Sequence, residues 1–204
     1  MIAIIDYGLG NIRAFANVYK NLNIQYKVAS NADDLKNVTK LILPGVGAFD
    51  YAMERVQKSG MQERIDELVL HRKIPVLGVC VGMQMMAISS EEGRLKGLGW
   101  IDGVVKKFET SALSHGTLLP HMGWNNISPT KNDKLFQYLD SGSRFYFLHS
   151  YYFDCHHYDD IIAQTDYGGL FTCAVSSGNI YGVQFHPEKS HKNGIQLLRN
   201  FGNL

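Results

Sequence analysis

Cys80 stands in the segment Pro75-Val76-Leu77-Gly78-Val79-Cys80-Val81-Gly82-Met83-Gln84, where an apolar strand signal runs into a helical one. Glycines sit two positions to either side of the sulfur. This is the pattern of a strand–nucleophile–helix elbow, in which small flanking residues permit a sharp turn and let backbone and substrate approach. A helix start beside a thiol favours the thiolate through unpaired N–H groups and the helix dipole. The same N–H groups, beginning at Val81, could hold an oxyanion formed when the sulfur attacks a carbonyl. A buried structural cysteine at a strand end fits this local sequence equally well.

A thiol nucleophile needs a base, and the base needs an orienting group. Of the 8 histidines, His186 has the most suitable setting, in Gly182-Val183-Gln184-Phe185-His186-Pro187-Glu188. It directly follows a strand signal, so its ring emerges at a sheet edge, where the functional groups of open α/β sheets collect. Pro187 stiffens the turn, and Glu188 is placed to hold the imidazole in one tautomer and to stabilise its protonated form. Taken alone, His-Pro-Glu also reads as a capped turn. His71 and His115 read as surface residues, and His191 falls in the first turn of the last helix. Pro44-Gly45-Val46-Gly47-Ala48-Phe49 closes another strand of the same set. Its glycine-rich turn could aim N–H groups at a carbonyl oxygen opposite Cys80, or serve only as a connection that needs glycines.

Other chemistries are poorly served. No Lys-Ser/Thr follows the glycines of that turn, as a phosphate-cradling loop requires. Gly8-Leu9-Gly10 lacks the third glycine of a dinucleotide fingerprint, so no nicotinamide cofactor is expected, nor any other. In His149-Ser150-Tyr151-Tyr152-Phe153-Asp154-Cys155-His156-His157, adjacent side chains on an extended segment point to opposite faces, so His156 and His157 are not expected to meet at one ion. No His or Cys pair stands at zinc-ligand spacing, and no metal is expected.

The elements that must position these groups alternate in the first half. Strand signals at Ile2–Ile5, Tyr26–Ala29, Lys40–Leu43 and Ile74–Val79 are interleaved with helical ones at Ile12–Leu22, about Ala48 to Arg72 with a break near Ser59-Gly60, and Gly82–Ile88. Asn31-Ala32-Asp33-Asp34 reads as a capped helix start. Such alternation predicts a parallel sheet flanked by helices. From about Trp100 the chain turns β-rich, with strands at Val104–Phe108, Arg144–Phe153, Asp160–Thr165, Phe171–Ser176 and Ile180–Gln184, joined tightly enough to be antiparallel. A helix over His191–Phe201 closes the chain. The expected fold is one flavodoxin-like α/β domain over residues 1–204, with a mixed, mostly parallel central sheet and a β-rich C-terminal half.

Composition agrees. The 204 residues carry 20 Lys plus Arg against 19 Asp plus Glu, a net charge of +1, which argues against a surface built to neutralise nucleic-acid phosphates. Three cysteines, an odd number, argue against a disulfide framework and point to a reduced, cytoplasmic setting. The start lacks the basic segment of a signal peptide. Its longest charge-free apolar run, Ile74 to Ser90, is interrupted by Pro75, glycines and Gln84, whereas a membrane span needs about 20 mostly apolar residues.

Together these segments resemble the class I (triad) glutamine amidotransferases, nearly end to end and in order. The shared segments are Asp6-Tyr7-Gly8-Leu9-Gly10-Asn11, Pro44–Phe49, Gly78–Gln84, Pro120-His121-Met122-Gly123-Trp124-Asn125, His149-Ser150-Tyr151-Tyr152 and Gln184–Ser190. The histidine–tryptophan and paired-tyrosine segments narrow the resemblance to the glutaminase subunits of imidazole glycerol phosphate synthase. It implies Cys80 as nucleophile, His186 as general base and acid, and Glu188 as orienting carboxylate. It implies an oxyanion site bordered by Val46, Gly47 and Val81, a glutamine pocket lined by Gln84, Ser150 and Tyr151, and a separate (β/α)8-barrel cyclase partner met by Asn11, Trp124 and Lys189. Three departures stand out. Val81 replaces a usual leucine, Met85-Met86 a leucine pair, and Trp100 an aliphatic residue. The last leaves open a paralogue that supplies ammonia for amination of a surface or flagellar sugar.

Overall fold

Ile2–Ile5 is apolar at every position and buried at every position, as expected of a strand covered on both faces. The computed structural model describes residues 1–109 and 118–204, so the surface reading of His115 lies outside the described residues. In chain order the strands are β1 (Ile2–Ile5), β2 (Tyr26–Ala29), β3 (Lys40–Gly45), β4 (Val76–Cys80), β5 (Ser89–Ser90), β6 (Gly103–Lys107), β7 (His121–Asn126), β8 (Ser128–Pro129), β9 (Arg144–His149), β10 (Tyr151–Cys155), β11 (Ile161–Asp166), β12 (Leu170–Ser177) and β13 (Ile180–Val183). The α-helices are α1 (Ile12–Asn21), α2 (Phe49–Lys58), α3 (Gln62–Asp66), α4 (Val81–Gln84) and α5 (His191–Asn203).

Among the described residues the main sheet runs β2-β1-β3-β4-β13-β12-β10-β6-β5, with β11 paired to β12 and β8 to β11. From β2 to β13 the neighbours are parallel. Beyond β13 the ladders from β12 to β6 are antiparallel, giving the mixed sheet expected. Strands β7 and β9 form a separate antiparallel ribbon. Phe15 and Tyr19 of α1, Phe49, Ala52, Met53 and Val56 of α2, and Leu197, Leu198 and Phe201 of α5 are buried in the core, at the helical spacings that bring apolar residues to one side.

Four expectations need correction. Strand β3 continues through Pro44 and Gly45, which pair with Val79 and Cys80; β1 pairs only as far as Ile42, so Pro44 has one neighbour and its missing N–H costs no ladder bond. The helix expected over Gly82–Ile88 is only α4. The carbonyls of Met85, Met86, Ala87 and Ile88 accept instead from Leu98, Trp100, Gly99 and Gly97, so tertiary pairing overrides local propensity. Arg144–Phe153 is two strands, because the chain leaves the β7–β9 ribbon at Ser150 and enters the main sheet as β10. The start capped by Asn31, whose side chain accepts from Asp34 N, carries only a 3-10 turn over Ala32–Leu35.

Candidate active site

β4 ends on Cys80, which takes φ 55° and ψ −115° as the residue before α4. A non-glycine residue held at positive φ stores strain that the surroundings must impose. Here they do so by close approach. A Cβ on Gly82 would lie 1.9 Å from the Leu43 carbonyl oxygen, and one on Gly45 would lie 2.2 Å from the Gly82 nitrogen. The elbow is therefore pressed against the end of β3, and only glycines fit at the contact. With four residues, α4 contributes local N–H groups rather than the dipole of a long helix.

His186 follows β13, the parallel neighbour of β4, so the topology carries it beside Cys80 across more than a hundred residues of chain. Its Nδ1 lies 3.0 Å from Glu188 Oε1, and the ring lines the same cavity as Cys80. With Nδ1 engaged, Nε2 is the nitrogen left for the sulfur. Burial pulls the imidazole pKa down, but its interactions with Cys80 and Glu188 outweigh it and raise it to about 10. The ring is thus set to hold a proton while facing the thiol. Its backbone is pinned as well. His186 N donates to Tyr146 O at 2.8 Å, and Ser190 Oγ donates to His186 O at 2.6 Å.

These groups open onto a cavity of about 240 Å³. Val46, Gly47, Val81, Gln84, Ser150 and Tyr151 all line it, as does Lys189; Glu188 stands behind His186. Gln84 Nε2 donates to Tyr151 O and to Gln184 Oε1, both at 3.0 Å. Gln184 is completely buried and turns its Nε2 toward Cys80 Sγ at 3.8 Å. Gly47 has φ 88° and open space where a side chain would be, so the loop after β3 uses a glycine conformation there. Tyr7 Oη donates to Pro44 O at 2.6 Å, anchoring the root of that loop.

Sequence reasoning missed several groups here. Glu92 lines the cavity while its Oε2 caps α2 by accepting from Phe49 N, and Leu148 and His149 line the opposite wall. Glu92 follows another glutamate in a turn, which reads as a solvated loop, and Leu148 ends the apolar run Phe145–Leu148, which reads as core. Of the three residues expected at a partner interface, Trp124 and Lys189 fall on one surface. Trp124 is exposed on β7 and stacks on His191 at 5.2 Å, while Lys189 Nζ lies 5.6 Å over the Tyr146 ring. Asn11 is exposed just before α1, in a loop where Gly10 packs on Pro44. Trp100 is buried and donates its indole N–H to Asp66 at 2.8 Å, so that departure is a packing feature outside the cavity. His156 and His157 do not diverge as expected. They lie past the end of β10, where alternation ceases, and both reach the Asp102 carboxylate. No group of three or more His, Cys, Asp or Glu among the described residues could hold a metal ion, and no helix among them is long and apolar enough to cross a membrane.

Comparison with known proteins was then decisive. The family "Glutamine amidotransferase class-I" matches residues 3–203. The chain is 55% identical over its full length to the imidazole glycerol phosphate synthase subunit HisH of Bdellovibrio bacteriovorus, covering 100% of both. It is 53% identical, again over 100% of both, to the HisH subunit of Leptospira interrogans. Among solved structures, one described as a glutamine amidotransferase superposes with TM-score 0.73 at 17% identity, over 100% of this chain and 99% of that one. The PurLQS structure from Thermotoga maritima gives 0.71 at 19%, over 99% and 97%; at such identities these two speak to the fold alone. A thiol at a strained elbow, an imidazole on the same cavity held by a carboxylate, and full-length identity above one half lead to one conclusion: the chain belongs to the class I glutamine amidotransferases and, within them, to the HisH subunits of imidazole glycerol phosphate synthase.

Proposed function

We propose that this chain hydrolyses glutamine to glutamate and passes the ammonia to a separate (β/α)8-barrel cyclase subunit that closes the imidazole ring in histidine biosynthesis. The observation that carries the reading is the buried chain Cys80–His186–Glu188 opening onto a cavity that admits an amino acid. Cys80 passes its thiol proton to His186 as Sγ attacks the side-chain amide carbon of glutamine, and the carbonyl oxygen becomes an oxyanion between the Val46–Gly47 turn and Val81. His186 then protonates the departing nitrogen, the C–N bond breaks, and ammonia leaves a glutamyl thioester on the sulfur. His186, neutral after that transfer, removes a proton from water. The hydroxide adds to the thioester, and glutamate departs as the sulfur takes the proton back from the imidazole. Glu188 holds Nδ1 and stabilises the ring each time it becomes charged. Gln84, Ser150 and Tyr151 form the amino-acid pocket.

Free ammonia is mostly ammonium near neutral pH and diffuses away, so a chain devoted to making it needs an acceptor site at its door. One face of the β7–β9 ribbon suits that contact. Met122 is paired with Leu148 and Trp124 with Tyr146 in the ladder, and Met122, Trp124, Leu148 and Val46 leave apolar side chains exposed. Val46, Leu148 and Lys189 also line the cavity, so a partner seated on this apolar patch would cover the mouth. Glutamate release, measured with and without the cognate cyclase, together with growth of a histidine auxotroph lacking this subunit, tests the reading. Glutamate release with restored growth is expected. Failure to bind the cyclase or to restore growth overturns the assignment.

A further inference from the structure

Between β9 and β10 the chain crosses from the ribbon into the main sheet with only Ser150 intervening, and that crossover is one wall of the amino-acid pocket. Something must fix its geometry. The carbonyl of Tyr151 accepts from His149 Nδ1 at 2.8 Å, as well as from Gln84 Nε2 at 3.0 Å. A carbonyl only accepts, so Nδ1 carries the proton and Nε2 of the neutral ring is left as an acceptor. That acceptor faces His121 Nδ1 at 3.0 Å, which must therefore be protonated, leaving His121 Nε2 to accept from Asn125 Nδ2 at 3.3 Å. Asn125 Nδ2 also donates to Asp166 O at 2.8 Å. Within the relay each donor points the same way, from Asn125 through His121 and His149 to Tyr151 O. Both rings are buried and are direct cross-strand partners in the ribbon. His121 is further clamped between Tyr167 at 3.8 Å and Phe147 at 4.7 Å.

We propose that His149, backed by His121, is a positioning residue for glutamine: the directed hydrogen bond to Tyr151 O sets the Ser150–Tyr151 turn that receives the substrate. The proposal rests on the glutaminase reading above and deepens it. Neither histidine takes a proton in the reaction. Both rings are neutral near pH 7, burial holding His149 down to about 3 and His121 to about 4, so each keeps one donor and one acceptor as the relay requires.

The test compares His149→Phe with His149→Asn in the full chain assembled with its cyclase. Phenylalanine keeps the aromatic packing against Phe108, Phe147 and Phe171 but has no donor. Asparagine loses packing, yet its Nδ2 stands near the place of imidazole Nδ1. Losing one neutral hydrogen bond at the pocket raises the glutamine KM about tenfold in the phenylalanine variant, with kcat changed less. Cys80 alkylation by iodoacetamide, which enters the cavity but does not need the Ser150–Tyr151 turn to hold an amino acid, should stay within about twofold. Asparagine returns KM most of the way. His121→Phe, a second probe if the first folds poorly, raises KM about threefold by releasing the His149 tautomer. A KM unchanged in both phenylalanine variants, or asparagine no better than phenylalanine, overturns the positioning role. Wild-type protein that releases no glutamate overturns the underlying glutaminase reading instead.

Discussion

Acid should weaken this protein through the two ribbon histidines before its exposed carboxylates are involved. In the unfolded chain each imidazole takes a proton near pH 6.5; in the folded protein His149 does so only at about 3 and His121 at about 4. Between those limits the unfolded state binds more protons, so stability falls as pH falls. Moving from about pH 7 to about pH 5 removes roughly 2 kcal/mol for each ring. His186 works in the opposite sense. Raised to about 10, it supplies stability that is complete below pH 6.5 and lost as pH climbs through 10, so the same step adds back under about 1 kcal/mol. Asp33, Glu67 and Asp102, whose ion pairs hold their carboxyls low, act only at lower pH. The net loss is roughly 3 kcal/mol, a large share of the stability of a typical domain. Urea unfolding at the two pH values measures it, with unchanged slopes confirming that the same transition is compared. In His149→Asn about 2 kcal/mol of the pH-dependent loss disappears with the ring. A wild-type protein equally stable at both pH values, or a variant with the same loss as wild type, would refute the buried neutral pair.

Cys80→Ala is expected to abolish glutamate release, whereas Glu188→Ala leaves measurable turnover, lowered by roughly a hundred- to ten-thousandfold; complete loss in both would remove the orienting role of Glu188. Gly82→Ala drives a methyl group into the Leu43 carbonyl, so urea unfolding should report roughly 1–3 kcal/mol of destabilisation together with loss of turnover. Full stability in that variant would mean the elbow and β3 are not in close contact. Trp124→Ala should weaken cyclase binding by roughly 2 kcal/mol in a calorimetric titration while moving urea stability by less than about 1 kcal/mol. Unchanged binding would place the partner elsewhere.

How far the chain could be read without coordinates depended on whether the relevant signal was local. The elbow at Cys80 was legible because a strand end, a thiol and two glycines are contiguous, and the glycines answer a contact that admits no side chain. His186 and Glu188 were legible because they are two residues apart and bond to each other. The parallel half of the sheet followed from buried apolar runs separated by helical spacings. Strand β7 was hidden because its alternation is inverted: Met122 and Trp124 face outward while His121 is buried, so hydropathy along the strand points the wrong way. Helix α4 is short because Leu98 to Trp100 claim the carbonyls that a longer helix would use, a competition between segments that no window along the chain contains. The same holds for the His121–His149 relay, Gln184 under the sulfur and Glu92 at the cavity. Residue types and near spacings marked the candidate groups, and the family resemblance of their segments supplied the reaction class. Which distant side chains share a proton, and which strand turns its apolar face to solvent, was decided only by folding, since hydrogen bonds and burial act through a few ångströms of space rather than through position in the chain.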